Sequence, residues 1–180
     1  MNAFSKENEL KKLLYKKFKL KNLALQKLPV VKYKVETSID FQIEHEGKIY
    51  LFEVDTYNTA KVLFGQYLLL NNYISEPEKY VYIPVHYNNK FNIIHSYNHL
   101  DYAYKNLNCK IRFIIFDQNS IKEIIKKSKT LDDFFNYINS HDTLETVKQN
   151  ADKKIKLRLR KRKIIIKPLP NHLPNSLTKE

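Results

Sequence analysis

With 180 residues and 43% hydrophobic content, the chain is long enough for one domain with a buried core and an added tail. Its two glycines are too few for phosphate-cradling loops, and no G-x-x-x-x-G-K or G-x-G-x-x-G spacing occurs, which argues against a nucleotide-driven motor or a dinucleotide enzyme. The single cysteine, Cys109, excludes an internal disulfide and a Cys-rich zinc site. The formal net charge of +13 is segregated: residues 1–34 carry ten Lys against two Glu, residues 151–180 carry ten Lys or Arg against two acids, and the middle carries twelve bases against fifteen acids. Two basic ends around a slightly acidic middle are the footprint of a polyanion binder.

In chain order, residues 4–26 read as a helix, with Leu10, Leu13, Leu14 and Phe18 on one face. Ser5 is its expected N-cap, Glu7 and Glu9 its first-turn acids, and Pro29 its end. Lys32 to Thr37 is β-rich. Ser38 to Glu44 alternates, with Ile39, Phe41 and Ile43 one way and Asp40, Gln42 and Glu44 the other. His45-Glu46-Gly47-Lys48 reads as a hairpin turn with Gly47 at positive φ. Ile49 to Val54 is the return strand, apolar on both faces and therefore central, with Glu53 on the face of Ile49 and Leu51.

Residues 58–74 read as a helix, its face set by Val62, Gly65, Leu69 and Tyr73 and widened by Leu63, Leu68 and Leu70. Tyr80 to Val85 reads as a buried strand, 96–107 as a helix, and Ile111 to Phe116 as an apolar strand ending at Asp117. Helices follow at 119–128 and 130–140, the second capped by Thr130 with Asp132 and Asp133 in its first turn. In the tail, Ile155, Leu157 and Leu159 alternate with Lys154, Lys156, Arg158 and Arg160 before the run Lys161, Arg162, Lys163. Residues 153–167 hold nine bases and no acid, which suits phosphate contacts, or an edge strand protected by charge. The expected fold is α/β, a mixed central sheet flanked by helices. Its domain is 1–150, including a basic N-terminal helix region at 1–34, and 151–180 is a basic C-terminal extension. With no apolar leader and no apolar run near the roughly 20 residues of a membrane span, an intracellular, nucleoid-associated chain is expected, with no membrane partner.

The chemistry concentrates in Asp40, Glu53, Asp55, Lys61 and Gln66. Two carboxylates on neighbouring antiparallel strands can converge on one point, and one or two carboxylates with waters suffice for a hard cation such as Mg²⁺. Asp40 taken alone alternates outward, where an acid is ordinarily just solvated. Glu53 ends an apolar run, where an acid is costly unless paired or metal-bound. Other chemistries have less behind them. His95 and His99 share a helical face but have no third ligand for zinc, and Tyr97, Tyr102 and Tyr104 read more readily as half-buried packing than as base-stacking rings.

On these residues the chain resembles the PD-(D/E)XK, or restriction-endonuclease-like, nuclease superfamily, over roughly residues 5–116. Asp40 matches the first acid, Glu53 matches the Glu of Glu-x-Lys, and Gln66 resembles the glutamine on the following helix. Glu9 or Glu7 resembles the acid of the first helix. The resemblance implies that Asp40 and Glu53 bind Mg²⁺, with Mn²⁺ as a substitute, in a metal-dependent DNA endonuclease of mobile-element, phage or restriction type. Asp55 stands at the usual Lys position. Lys61, or less readily Lys48, is the candidate relocated lysine, and Asp55 is a candidate third ligand. A homodimer or a transposition or restriction protein is the expected partner. The alternatives are a catalytically inactive DNA-binding or assembly protein that keeps the fold, and an RNA-binding factor or protein adaptor whose basic ends hold an acidic partner.

Overall fold

A computed structural model describes residues 3–20, 26–30, 35–56, 60–87 and 93–140. The basic extension, with Lys154, Lys156, Arg158, Arg160, Lys161, Arg162 and Lys163, lies outside the described residues. Helix α1 (Ala3–Phe18) is followed by strands β1 (Gln26–Val30), β2 (Val35–Ile39), β3 (Phe41–His45) and β4 (Lys48–Asp55). Then come α2 (Ala60–Tyr73), a 3₁₀ turn at Pro77–Lys79, β5 (Tyr80–His86), α3 (Ile93–Asn106), β6 (Arg112–Phe113), β7 (Phe116–Asp117), α4 (Gln118–Lys127) and α5 (Leu131–Ser140). Among the described residues no helix is long and apolar enough to cross a membrane.

The fold is mixed α/β, with a mixed sheet flanked by helices. Strand β3 pairs antiparallel with β4, β4 pairs parallel with β5, and β5 pairs parallel with both β6 and β7. Strands β1 and β2 form a separate antiparallel pair lying against α2. Period-two alternation splits the core into two layers. Tyr50, Phe52 and Val54 of β4, with Val81, Ile83 and Val85 of β5, pack with α1, α4 and α5. Leu51 and Tyr82 point the other way, into a layer with Leu63, Tyr67 and Leu70 of α2 and Tyr97, Leu100 and Ala103 of α3.

Several sequence expectations need correction. Helix α1 starts at Ala3, so Ser5 lies inside it rather than capping it, and Glu7 and Glu9 lie beyond its first turn. It stops at Phe18, where Lys19 takes φ 59°, and Pro29 lies in β1 instead of ending a helix. The buried side of α2 is Leu63, Tyr67 and Leu70, whereas Val62 is 63% exposed and Tyr73 is also turned out. The α2 sequence is apolar nearly all round, so periodicity alone did not identify its inner face. Ser38 to Glu44 is not one strand: the backbone bends at Asp40, so Ile39 joins the α2/α3 layer while Phe41 and Ile43 join the opposite one.

The apolar run from Ile111 to Phe116 is also interrupted, and Pro84 supplies the reason. The Ile114 N–H donates to the Tyr82 carbonyl at 2.9 Å, so Tyr82 turns its backbone groups towards that line of residues. Pro84, two residues on, faces the same way and has no N–H to give. The ladder therefore breaks between the pairs Tyr82↔Phe113 and Val85↔Phe116.

Candidate active site

The acidic residues gather at the carboxyl end of β4, where the chain leaves the sheet for α2. Phe41 pairs with Phe52, and the two rings stack at 4.7 Å, which places the bend at Asp40 beside the last residues of β4. There the Asp40 N–H donates to the Phe52 carbonyl at 3.1 Å, and the Val54 N–H donates to Asp40 Oδ2 at 2.6 Å. The carboxylate of Asp40 is thus fixed by the neighbouring strand rather than pointing freely into solvent. Burial raises its pKa to about 6, against the lowering effect of the Val54 N–H; Glu7 on α1 raises it further and Lys11 lowers it.

Glu53 extends from β4 on the face of Ile49 and Leu51, as its position in the alternation requires. Gln66 of α2 donates from Nε2 to Glu53 Oε2 at 3.0 Å and also to the Ser38 carbonyl, while its Oε1 accepts from the Tyr82 hydroxyl. One amide thus ties β2, β4, β5 and α2 together around the glutamate. Burial pushes the Glu53 pKa up to about 8, and the Asp40 charge adds to the rise. Burial first, then the charges of Glu53, Asp55 and Asp40, holds the Tyr82 phenol well above its ordinary value, so it remains an O–H donor. All three carboxylates act on that one ring, which marks their convergence.

Asp55 does not extend into this cluster as an open ligand. It is 7% exposed, and its Oδ2 lies 2.9 Å from Nδ1 of the equally buried His86, its partner in the parallel register. Lys61 is exposed on α2, and among the described residues it forms no ion pair with the acids. Lys48 occupies the hairpin end of β4, roughly 16 Å along the strand from Glu53 at the usual rise per residue. The lysine that does reach the cluster is Lys11: it pairs with Glu7, lies 5.5 Å from the Phe41 ring and depresses the Asp40 pKa. Glu9 turns instead to Lys6 and to Lys122 of α4.

The structure therefore brings together Asp40, Glu53 and Gln66, sets Asp55 beside them in a pair with His86, and leaves Lys61 outside. Lys11, Tyr82 and His86 were missed. The sequence carried a signal only for His86, whose place after an apolar strand matches that of Asp55. Pairing Lys11 with Asp40 depends on how α1 docks, which no local pattern encodes.

Asp40 and Glu53 offer hard oxygen donors, and neither has a cationic side chain within ion-pair distance among the described residues. That donor set fits a divalent ion such as Mg²⁺ or Mn²⁺. Among the described residues no three His, Cys, Asp or Glu side chains cluster closely enough to hold a metal unaided. A cation here would rest on two carboxylates, with water completing its shell. Comparison with family models, curated proteins and solved structures finds no match for this chain.

Proposed function

We propose that the chain is a metal-dependent endonuclease that hydrolyses phosphodiester bonds in DNA, on a restriction-endonuclease-like core with a basic C-terminal extension. The observation that carries this reading is the pair of half-buried carboxylates, Asp40 at the bend before β3 and Glu53 on the neighbouring β4, held together by the Val54 and Gln66 hydrogen bonds and both protonated more readily than free acids. Burying two mutually repelling acids is unfavourable unless a cation or proton joins them, and hard oxygen ligands select a divalent ion. Mg²⁺ supplies charge stabilisation at a phosphoryl oxygen and an acidified water. Gln66 fixes the rotamer of Glu53, the Val54 N–H fixes that of Asp40, and Tyr82 keeps Gln66 oriented. Lys11, whose charge acts on Asp40 against the larger opposing effect of its own partner Glu7, is assigned the place of the lysine that the resemblance puts at position 55. Residues 153–163 hold the phosphate backbone, and a homodimer or a transposition or restriction partner brings a second site to the other strand.

The test is cleavage of plasmid and linear duplex DNA with Mg²⁺ or Mn²⁺. Wild type is expected to cut, Glu53→Gln to lose at least about 100-fold, and Lys11→Ala to lose more than Lys61→Ala. A wild type that binds DNA in a salt-sensitive way but never cuts would sink the catalytic reading. One observation favours that second reading, a DNA-binding protein on an inactive nuclease fold: position 55 carries an acid engaged with His86 instead of a lysine.

A further inference from the structure

A groove away from the acidic cluster lies between α1 and α4. It encloses about 560 Å³ and is lined by Glu9, Leu13, Lys16, Lys17, Lys122, Ile125 and Lys126. Its floor is apolar, made by Leu13 and Ile125, and its rim is cationic. Glu9, the one acid on the rim, is already engaged by Lys122 and Lys6. Lys16, Lys17 and Lys126 enter no ion pair among the described residues, and Lys17 Nζ donates instead to the Lys126 carbonyl at 3.3 Å. Three cations therefore stand over an apolar trough without an ion-pair contact among the described residues, although Lys126 acts on Glu123 at longer range.

Two features identify the occupant. Lys16 and Lys17 occupy the last turn of α1, and Lys126 that of α4, so the rim sits where helix carbonyls end. Phosphates are drawn to helix amino termini, and the carbonyl ends do not favour them. A phosphate backbone also gains nothing from Leu13 and Ile125. The chain's own segment 153–167 is repelled, since it carries nine bases and no acid. We propose that this groove docks an acidic amphipathic segment of a partner protein, with its apolar side chains on Leu13 and Ile125 and its carboxylates on Lys16, Lys17 and Lys126. This is recognition by helix-in-groove packing with charge complementarity at the rim, and it does not depend on the nuclease reading.

The test uses the full chain and a fluorescein-labelled 14-residue peptide with Leu at helical i, i+3, i+4 and i+7 spacing and Glu on the flanks. Anisotropy is read against the same peptide with Leu→Ser, and against a short DNA duplex as competitor. Wild type should bind the Leu/Glu peptide at least about tenfold more tightly than the Ser version, since the apolar floor contributes to binding. Lys16→Glu with Lys126→Glu, checked for an unchanged thermal transition, should lose binding at least tenfold, and Lys16→Gln with Lys126→Gln should lose less. Binding that ignores Leu→Ser would overturn the proposal, because charge alone would then account for it. No binding by wild type would do the same, as would a peptide displaced by the duplex together with a parallel loss of DNA binding in the charge-reversed protein, which would assign the groove to nucleic acid.

Discussion

Glu53 is where burial and charge have the clearest measurable consequence. Its pKa in the folded chain is raised to about 8 and that of Asp40 to about 6, both above the ordinary carboxylate range near 4. Between the unfolded and folded values the native state holds more protons than the unfolded state. Stability from this pair is therefore full at acidic pH and is lost as pH rises through about 8. The melting temperature of wild type should fall between pH 5 and pH 8, and Glu53→Gln should flatten the upper part of that fall, whereas Asp40→Asn flattens the lower part. A slope unchanged in both variants would refute the assignment. At pH 8, Mg²⁺ should raise the wild-type melting temperature by roughly 2 °C or more and leave Glu53→Gln unmoved, because a ligand stabilises only the state that binds it. Tyr82→Phe tests the same cluster from behind: Gln66 Oε1 would lose its donor, at a cost of about 1–3 kcal/mol by chemical denaturation.

At the level of elements, local chemistry was legible where it is self-contained. In the β3–β4 hairpin, Glu46 and Gly47 both take positive φ, at 48° and 72°, as a tight two-residue turn demands. Nothing lies within 4 Å of a side chain built at Gly47, so Gly47→Ala should cost only the backbone penalty, about 1 kcal/mol. Thr130 accepts from the Asp133 N–H at 3.0 Å, while Asp133 accepts from the N–H groups of Lys129 and Thr130, a reciprocal cap that its sequence announces. Asp117 accepts from Asn119 and Ser120 at the start of α4, and Asp117→Ala should destabilise the protein by about 1–2 kcal/mol in urea. Less legible were elements whose limits depend on a neighbour. The end of α1, the inner face of α2 and the broken strand opposite Pro84 are fixed by packing and pairing, which a single stretch of sequence does not contain.

Across the whole molecule, β4 separates two apolar layers and belongs to both. Phe52 is fully buried on the α1/α4/α5 side and stacks on Phe41, so Phe52→Ala should cost about 3–5 kcal/mol and lower a single cooperative transition. The α/β class and the acid at the end of an apolar strand could be read from the sequence because burial patterns are periodic. The complete site could not, since it draws α1, β2, β4, β5 and α2 to one point. Lys11 and Gln66 contribute from different helices, and their meeting at the acids is set by how the layers close. The charge map adds a second scale of organisation: bases cluster at both chain ends while residues 35–150 carry fifteen of the nineteen acids. Binding to duplex DNA should accordingly weaken steeply between roughly 50 and 200 mM salt, and a chain truncated after residue 150 should show a shallower dependence.

The bend at Asp40 gives that aspartate two separable duties. It is the hinge at which the chain crosses from one side of the sheet to the other, with Ile39 left behind and Phe41 carried over. Alanine there removes the acceptor that clasps Val54 and so puts the crossing itself at risk, whereas asparagine keeps an oxygen in the same place and deletes only the charge. A loss of function seen with alanine would speak to architecture, and one seen with asparagine, at undiminished stability, would speak to chemistry.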